Sequence, residues 1–446
     1  MRIKQINVVN LFGLFNHKIP FNLEEKVTII HGPNGFGKTI ILKFIDGLFN
    51  GKYNIFFNIP FKEFEIEFEN GEKITLIKDE SSDINEITLR FQKDGHIINK
   101  PFRFIDLKKL GLPTSMLEDL LPLHRVDLDS WIWIPTDEKL TLGEIISRYG
   151  DVVLPRLPPS VRKELKLEEH KELTEYSKNL PIHLIETQRL LKISDEKIQR
   201  HSSRRRISPL ISVVKEYSNE LTINIESLLA RFGELSQSLD RTFPVRLMKT
   251  RLSEHLTKEE LQEELNQLEK KRQQLRDLGL LEKADEDIQI QEIDDDSKKV
   301  LSVYIKDVED KLSIFDDMAK KIDLLKNIIN DHFLYKELLI DKQKGFIFKN
   351  ENDQIIETSD LSSGEQHELV LLYQLLFKVK SNSLILIDEP EISLHVAWQK
   401  EFLNDIQSIS KIKNFDILIA THSPQIINER WDMTVKLKGI KNGRSN

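Results

Sequence analysis

Residues 27–39 read VTIIHGPNGFGKT and residues 40–49 read IILKFIDGLF. Val27 to Ile30 is a short, β-branched apolar run, the pattern of a buried strand. Ile40, Ile41, Phe44, Ile45 and Leu48 then recur at helical spacing. Between strand and helix lies Gly32-Pro33-Asn34-Gly35-Phe36-Gly37-Lys38-Thr39, a phosphate-binding loop pattern in the strand-to-helix context it requires. The glycines let successive N–H groups turn toward one anion, and the helix N-terminus adds its dipole. Lys38 is expected to reach the β- and γ-phosphates, and Thr39 to offer a hydroxyl to Mg²⁺. The bland alternative is a glycine-rich turn that happens to hold a lysine, and the rest of the chain argues against it.

The chain has 446 residues, enough for two or three domains. Its hydrophobic content of 39% supports a core, and its charged fraction of 31% is above average. No apolar run approaches the ~18 residues of a membrane span. The first residues lack the apolar stretch of a signal peptide. Without cysteine there are no disulfides and no thiolate metal sites. These features predict a cytoplasmic protein. A net charge of −8 means that nucleic acid, if bound, must meet a local basic patch.

Residues 1–31 alternate apolar and polar and predict two strands and a third leading into the loop. Phe64, Ile66 and Phe68, a turn at Asn70-Gly71, and Ile74, Leu76 and Ile77 read as a hairpin. Ile87, Leu89 and Phe91 continue that pattern toward a turn at Asp94-Gly95. Residues 100–180 are cut by prolines and receive no chemistry, and Trp131 and Trp133 read as packing residues. The cluster RHSSRRR at 200–206, with Arg204–Arg206, reads either as a phosphate, nucleic-acid or acidic-partner contact or as a solvated loop. From about 208 to 340 the chain reads as helical. Leu301, Ile305, Val308, Leu312, Phe315, Ala319, Ile322 and Ile329 follow 4-3 spacing. Read as one long helix of about 45 Å and paired with Leu261–Leu275, they predict an antiparallel helical hairpin or, alternatively, a seam inside a globular helical domain. The eight acidic residues of 282–299 read as an exposed connection.

The second half of the candidate site comes late. Leu361-Ser362-Ser363-Gly364-Glu365-Gln366 opens a helix. Leu384–Ile387 is a buried strand ending in Asp388-Glu389-Pro390. Acids at the carboxyl end of such a strand sit where open α/β sheets bind ligands. Asp388 is expected to complete the Mg²⁺ shell opposite Thr39, and Glu389 to polarise the attacking water. A further strand, Asp416 to Ala420, ends in Thr421-His422-Ser423, which places His422 for a γ-phosphate contact.

The order Gly32–Thr39, Gln188, Leu361–Gln366, Asp388-Glu389, Ser393–His395, His422 resembles the ATP-binding-cassette (ABC-type) ATPases, in their RecF/SMC/OLD-like branch. That resemblance implies an α/β P-loop ATPase fold: a mixed sheet with an antiparallel β subdomain and an inserted α-helical coiled-coil hairpin. It divides the chain into ATPase parts at 1–205 and 345–446 around an insertion at 206–344. It implies ATP and Mg²⁺ as cofactors. Gln188, after the strand Ile182–Ile185, becomes the glutamine that senses Mg²⁺ and water. Ser362, Gly364 and Glu365 become signature contacts to the γ-phosphate of a partner protomer, and Ser393–His395 a dimer-interface loop. Where transporter relatives carry Ser-Gly-Gly-Gln, this chain has Ser362-Ser363-Gly364-Glu365.

Within the branch, Ile185–Arg189, Ser363–Glu368 and Ala420–Pro424 resemble the ATPase subunits of bacterial anti-phage systems, PARIS first and Septu next. This resemblance implies a homodimer through composite ATP sites, or a higher homo-oligomer such as a hexamer. It also implies a separate effector nuclease encoded nearby, a phage-encoded trigger and no membrane partner. The rival reading is a DNA-repair or genome-maintenance ATPase that binds DNA directly, which the acidic balance disfavours. A scaffold that binds ATP without turnover is disfavoured by Glu389.

Overall fold

The computed structural model describes residues 1–78, 86–103, 171–186, 190–193, 210–249, 257–282 and 295–439, with short pieces between 117 and 153. The chain forms two compact units, residues 1–211 with 378–446, and residues 212–377.

The first unit holds two large sheets. One is antiparallel, in the order β2 (Phe15–Pro20), β1 (Ile3–Leu11), β4 (Glu63–Phe68), β5 (Lys73–Lys78), β6 (Glu86–Lys93), β7 (His96–Arg103), the last four joined as hairpins. Both predicted turns are present. Gly71 at φ 83° closes β4–β5, and Asp94-Gly95, both at positive φ, closes β6–β7 with Lys93 opposite His96. Ile66, Ile74, Leu89 and Phe91 point into the core, as their alternation requires.

The second sheet is parallel, in the order β11 (Ile182–Ile185), β17 (Leu384–Asp388), β18 (Asp416–Thr421), β3 (Val27–His31), β19 (Thr434–Lys436). Both faces of this sheet are covered, so β17 and β18 read as continuous apolar runs rather than alternating ones. One strand, β18, separates the loop-bearing β3 from the acid-bearing β17. Register aligns the carboxyl ends: Asp388 lies opposite Ala420, and Thr421 opposite His31. Helix α1 (Lys38–Asn50) starts from Gly37 at φ 89° and stops at Gly51, also left-handed. Its Phe44 is fully buried, with ring centroids 4.9, 5.0 and 5.3 Å from Phe56, Phe61 and Phe64. This aromatic cluster joins α1 to α2 (Asn54–Asn58) and to β4. A small sheet of β8 (Leu123–Asp127), β9 (Ser130–Trp133) and β10 (Glu138–Thr141) buries Trp131 and Trp133. Helix α3 (Lys171–Asn179) packs on α1, and short strands β12 (Leu191–Ile193) and β13 (Leu210–Ser212) follow.

The second unit opens with α4 (Val213–Lys249), 37 residues and therefore about 55 Å at 1.5 Å per residue. Helices α5 (Lys258–Asp277), α6 (Asp295–Ser313) and α7 (Asp316–His332) follow. Two expectations are corrected here. The 4-3 run from Leu301 to Ile329 is not one helix: it breaks at Ile314-Phe315, where fully buried Phe315 lies 5.5 Å from Phe232 of α4. Helix α6 packs on both α4 and α5, so the seam is shared among several helices rather than a single pair. Residues 336–340, read as helix, form β14 (Lys336–Asp341), because Tyr335 at φ 64° ends the helical path and Leu338 and Ile340 alternate inward. β14 pairs with β15 (Gly345–Asn350), which pairs with β16 (Ile355–Ile356). Residues 345–377 belong to this second compact unit. Gly345 at φ 73° has no space for a side chain, since a Cβ would sit 2.5 Å from the Ser218 carbonyl oxygen. Among the described residues no helix is long and apolar enough to cross a membrane.

The Phe44 cluster gives a direct test. Phe44→Ala should lower unfolding free energy by about 3–5 kcal/mol, the range for deleting a buried aromatic. Urea unfolding followed by circular dichroism measures this, and a loss under about 1 kcal/mol would mean that the cluster does not hold α1 to the antiparallel sheet.

Candidate functional site

The loop after β3 is built by left-handed glycines, Gly35 at φ 84° and Gly37 at φ 89°. A Cβ on Gly37 would lie 2.4 Å from Leu11 Cδ2, so the loop also runs close against β1. Lys38 is only 4% exposed, and its ammonium donates to the Gly32 carbonyl at 2.8 Å and, longer, to that of Pro33 at 3.4 Å. Its charge is thus held inside the curl of Gly32–Gly37.

Thr39, the second residue of α1, donates its hydroxyl to Asp388 Oδ1 at 2.9 Å. Asp388 is nearly buried at the end of β17. Burial pushes its carboxyl above the usual range, while the Thr39 hydroxyl and Lys43 oppose that rise. The next residue, Glu389, adopts φ 43°, ψ 58°, a left-handed conformation uncommon for a non-glycine residue. Its N–H donates to the Ala420 carbonyl at 2.8 Å, which fixes it against β18.

His422 follows β18. Its Nδ1 lies 3.0 Å from Glu391 Oε1 and 3.6 Å from Glu389 Oε1. Glu391 is buried, and its Oε1 also accepts from the Thr421 hydroxyl at 2.7 Å and the His422 N–H at 2.8 Å. Lys38, Thr39, Asp388, Glu389 and His422 therefore all stand at the carboxyl edge of the parallel sheet. Gln188 lies outside the described residues, as do Arg204–Arg206. Its neighbour Glu186 is described, with Oε1 3.4 Å from Lys43 Nζ on α1.

Ser362, Gly364 and Glu365 belong to the second unit. Ser362 caps α8 (Ser363–Tyr373), accepting from the Glu365 N–H at 3.3 Å while Glu365 Oε2 accepts from the Ser362 N–H at 2.7 Å. Both Glu365 oxygens also accept from Lys336 Nζ at 2.8 Å. Burial raises the Glu365 carboxyl, but Lys336 and Ser362 together hold it below its ordinary value. Its carboxylate has a structural role of its own. His395 caps α9 (Val396–Lys413), Nδ1 accepting from the Ala397 N–H at 3.3 Å, and Ser393 donates to the Pro390 carbonyl at 3.4 Å.

Two residues that sequence reasoning missed support the site. Glu391 is one, and the acidic pair Asp388-Glu389 drew attention away from it. His17 is the other: buried on β2, it donates from Nε2 to the Phe36 carbonyl at 2.9 Å and stacks on Phe15. The signal was present, since 15, 17, 19 and 21 share one face of an alternating run.

A family model, the AAA ATPase domain, matches residues 1–427. The chain belongs to this family. It is an ATPase of mixed α/β architecture, with a long helical segment inserted in the chain between the two parts of the first unit. Protein ea59 of Escherichia phage lambda is 36% identical over 69 residues, 16% of this chain. The chain spans only 13% of that relative's length. Among solved structures, the SMC head domain from Thermotoga maritima is 13% identical, with 98% of this chain and 95% of that one covered at a TM-score of 0.35. The Pyrococcus furiosus Smc head domain with an extended coiled coil, bound to the C-terminal domain of ScpA, is 13% identical over 96% and 91% at a TM-score of 0.29.

His17 makes the loop sensitive to pH. Burial lowers the pKa of its ring below the ordinary value near 6.5. The unfolded chain therefore takes up the proton first, and this contribution, present above that value, is lost as pH falls. Melting temperatures of wild type and His17→Gln, which keeps a donor but does not titrate, should converge or invert between about pH 8 and 5.5. A constant gap across that range would show that the buried ring does not carry the effect.

Proposed function

We propose that the carboxyl edge of the parallel sheet binds ATP with Mg²⁺ and hydrolyses it. We further propose that this ATPase is the sensor and scaffold subunit of a bacterial anti-phage defence system, holding and releasing a toxic effector nuclease. The observation that carries the catalytic reading is the 2.9 Å hydrogen bond from Thr39 to Asp388, with Glu389 next in the chain. It brings the hydroxyl of the loop and the carboxylate of a distant strand to one point. Both donors are oxygens, the ligand type that Mg²⁺ takes. Thr39, Asp388 and Gln188 would hold the ion, which when bound would draw charge from the phosphate oxygens.

The protein's own groups do the rest. The Gly32–Gly37 curl and the start of α1 present N–H groups to the phosphates, and Lys38 adds a positive charge buried in the same loop. Glu389 accepts a proton from the attacking water as the water oxygen bonds to the γ-phosphorus and the bond to the leaving ADP oxygen breaks. The strained backbone at Glu389 aims that carboxylate away from the strand direction. His422, beside Glu389, is placed to donate to the terminal phosphate.

The composite-site reading assigns Ser362 and Gly364 to the γ-phosphate of a second protomer, giving a homodimer or a higher homo-oligomer. The helical unit from α4 to α7 is then the surface for the effector. The phrases around Ile185–Arg189, Ser363–Glu368 and Ala420–Pro424 support the defence role, and the formal charge of −8 supports a protein partner over DNA.

Glu389→Gln should keep ATP bound and lower turnover by about 10²–10⁴-fold, because the amide cannot take the proton. Lys38→Ala should lose ATP binding itself. In cells carrying the neighbouring genes, both variants should lose protection in a phage plating assay. Normal hydrolysis by Glu389→Gln would place the base elsewhere, and full protection by both variants would separate the enzyme from defence.

Mixing tests the composite site. Lys38→Ala and Ser362→Arg protomers, each inactive alone, should recover part of the ATPase activity when combined, because a mixed dimer holds one site with neither change. No recovery, with mixed oligomers demonstrated by two affinity tags, would contradict shared sites.

A further inference from the structure

Glu391 has no part in the reaction as described so far, yet it is the most engaged carboxylate at the sheet edge. It sits on the short turn Pro390–Ile392, two residues beyond Glu389. Its Oε1 accepts two hydrogens from consecutive residues of another strand end, the Thr421 hydroxyl at 2.7 Å and the His422 N–H at 2.8 Å, and the His422 ring nitrogen Nδ1 lies 3.0 Å from the same oxygen. The side chain is 6% exposed, and its Oε2 is buried without a hydrogen-bond partner. Among the described residues, the carboxylates within 4 Å of the His422 ring are Glu391 and, farther off, Glu389.

A carboxylate oxygen can only accept. The ring nitrogen that faces Glu391, Nδ1, therefore carries hydrogen, and Nε2 is left for the ligand side.

We infer that Glu391 is a positioning residue for ATP hydrolysis. It holds the His422 ring with Nδ1–H toward itself, so that the ring plane is set and Nε2 is turned toward the terminal phosphate of ATP. The same oxygen fastens the turn after Glu389 to the end of β18, so the base and the histidine keep their spacing. This inference rests on the ATPase reading above.

Glu391→Gln keeps an acceptor for the Thr421 hydroxyl and the His422 N–H but removes the charge. Its kcat should fall roughly tenfold, less than the ~10²–10⁴-fold of losing a general acid or base outright because the histidine itself remains, while ATP binding stays at wild-type level. Thr421→Val, which removes a hydrogen bond to Glu391 but leaves its carboxylate facing the ring, should lower the melting temperature and leave kcat near the wild-type value. In a His422→Gln background, Glu391→Gln should have no further effect on kcat.

Wild-type turnover by Glu391→Gln, a full additive effect in the double variant, or wild-type turnover by His422→Gln would each overturn the role. A measurement that needs no altered Glu391 stands beside these. Nitrogen NMR of histidine-labelled wild-type protein, with the His422 signals assigned by their loss in His422→Gln, should show Nδ1 protonated. A neutral ring with hydrogen on Nε2 alone would overturn the inference whatever the variants do. Lys38→Ala separates this question from the larger one: if that variant still hydrolyses ATP, the ATPase reading of the site fails and this inference fails with it.

Discussion

The hydrogen bond between Thr39 and Asp388 joins residues 349 positions apart in the chain, and the site depends on it. It exists because three parallel strands end in register. β17, β18 and β3 are buried on both faces, which selects the runs Leu384–Ile387, Ile417–Ala420 and Val27–Ile30. Such strands leave their polar residues nowhere to go but the ends. Asp388, Thr421 and His31 accordingly line up at one edge. The acid there stays nearly buried, at a cost in desolvation that the Thr39 hydroxyl and the charge of Lys43 partly offset. A site that attracts a cation needs that tension: a carboxylate satisfied wholly by protein donors would have little to gain from a metal.

The antiparallel sheet has a separate task. Its β1 and β2 lie against the phosphate loop and not only beneath it. Leu11 fills the space that a side chain on Gly37 would need, and His17 holds the carbonyl of Phe36, between the two left-handed glycines. A carbonyl held outward leaves the neighbouring N–H groups turned the other way, into the curl. Phe44 completes the arrangement from α1 through its aromatic cluster. Loop, helix and supporting sheet are thereby fixed by packing rather than by the loop's own conformational preference, which for a glycine-rich segment is weak.

Much of this was legible in the residues. The strand–loop–helix at 27–49, the hairpin turns at Asn70-Gly71 and Asp94-Gly95, and the acid-ended strand at 384–388 each carry a local signal strong enough to survive tertiary context. What escaped was of two kinds. The seam from Leu301 to Ile329 keeps its buried residues but not its single helix. Periodicity records which positions face inward, and Phe315 is still buried across the break. No proline or glycine marks the break, so the ring contact with Phe232, far away in sequence, had no local signature. β14 was read as helix because Lys-Glu-Leu-Leu-Ile suits a helix by propensity, and pairing with β15 overrides that preference. Glu391 and His17 were hidden for a different reason. Their roles lie in what they accept and donate across strands, and a sequence pattern reports spacing, not partners.

The left-handed backbone at Glu389 draws these threads together. A conformation of this kind costs of order 1–3 kcal/mol and persists only where its surroundings over-determine it. Here three sets of hydrogen bonds surround it. The Glu389 N–H is tied to Ala420, its carbonyl accepts from Ile392, and Glu391 is anchored to Thr421 and His422. Every one of these anchors except the Ile392 turn lies on β18 or the residue after it, the strand that separates the loop strand from the acid strand. The intervening strand is therefore more than a spacer. It supplies the hydrogen bonds that hold the chain in a sharp turn immediately after Asp388, so that one acid can face Thr39 while the next faces His422. A regular continuation of β17 would have sent consecutive side chains to opposite faces of the sheet. The turn instead keeps both acids at its edge, where phosphate chemistry needs them.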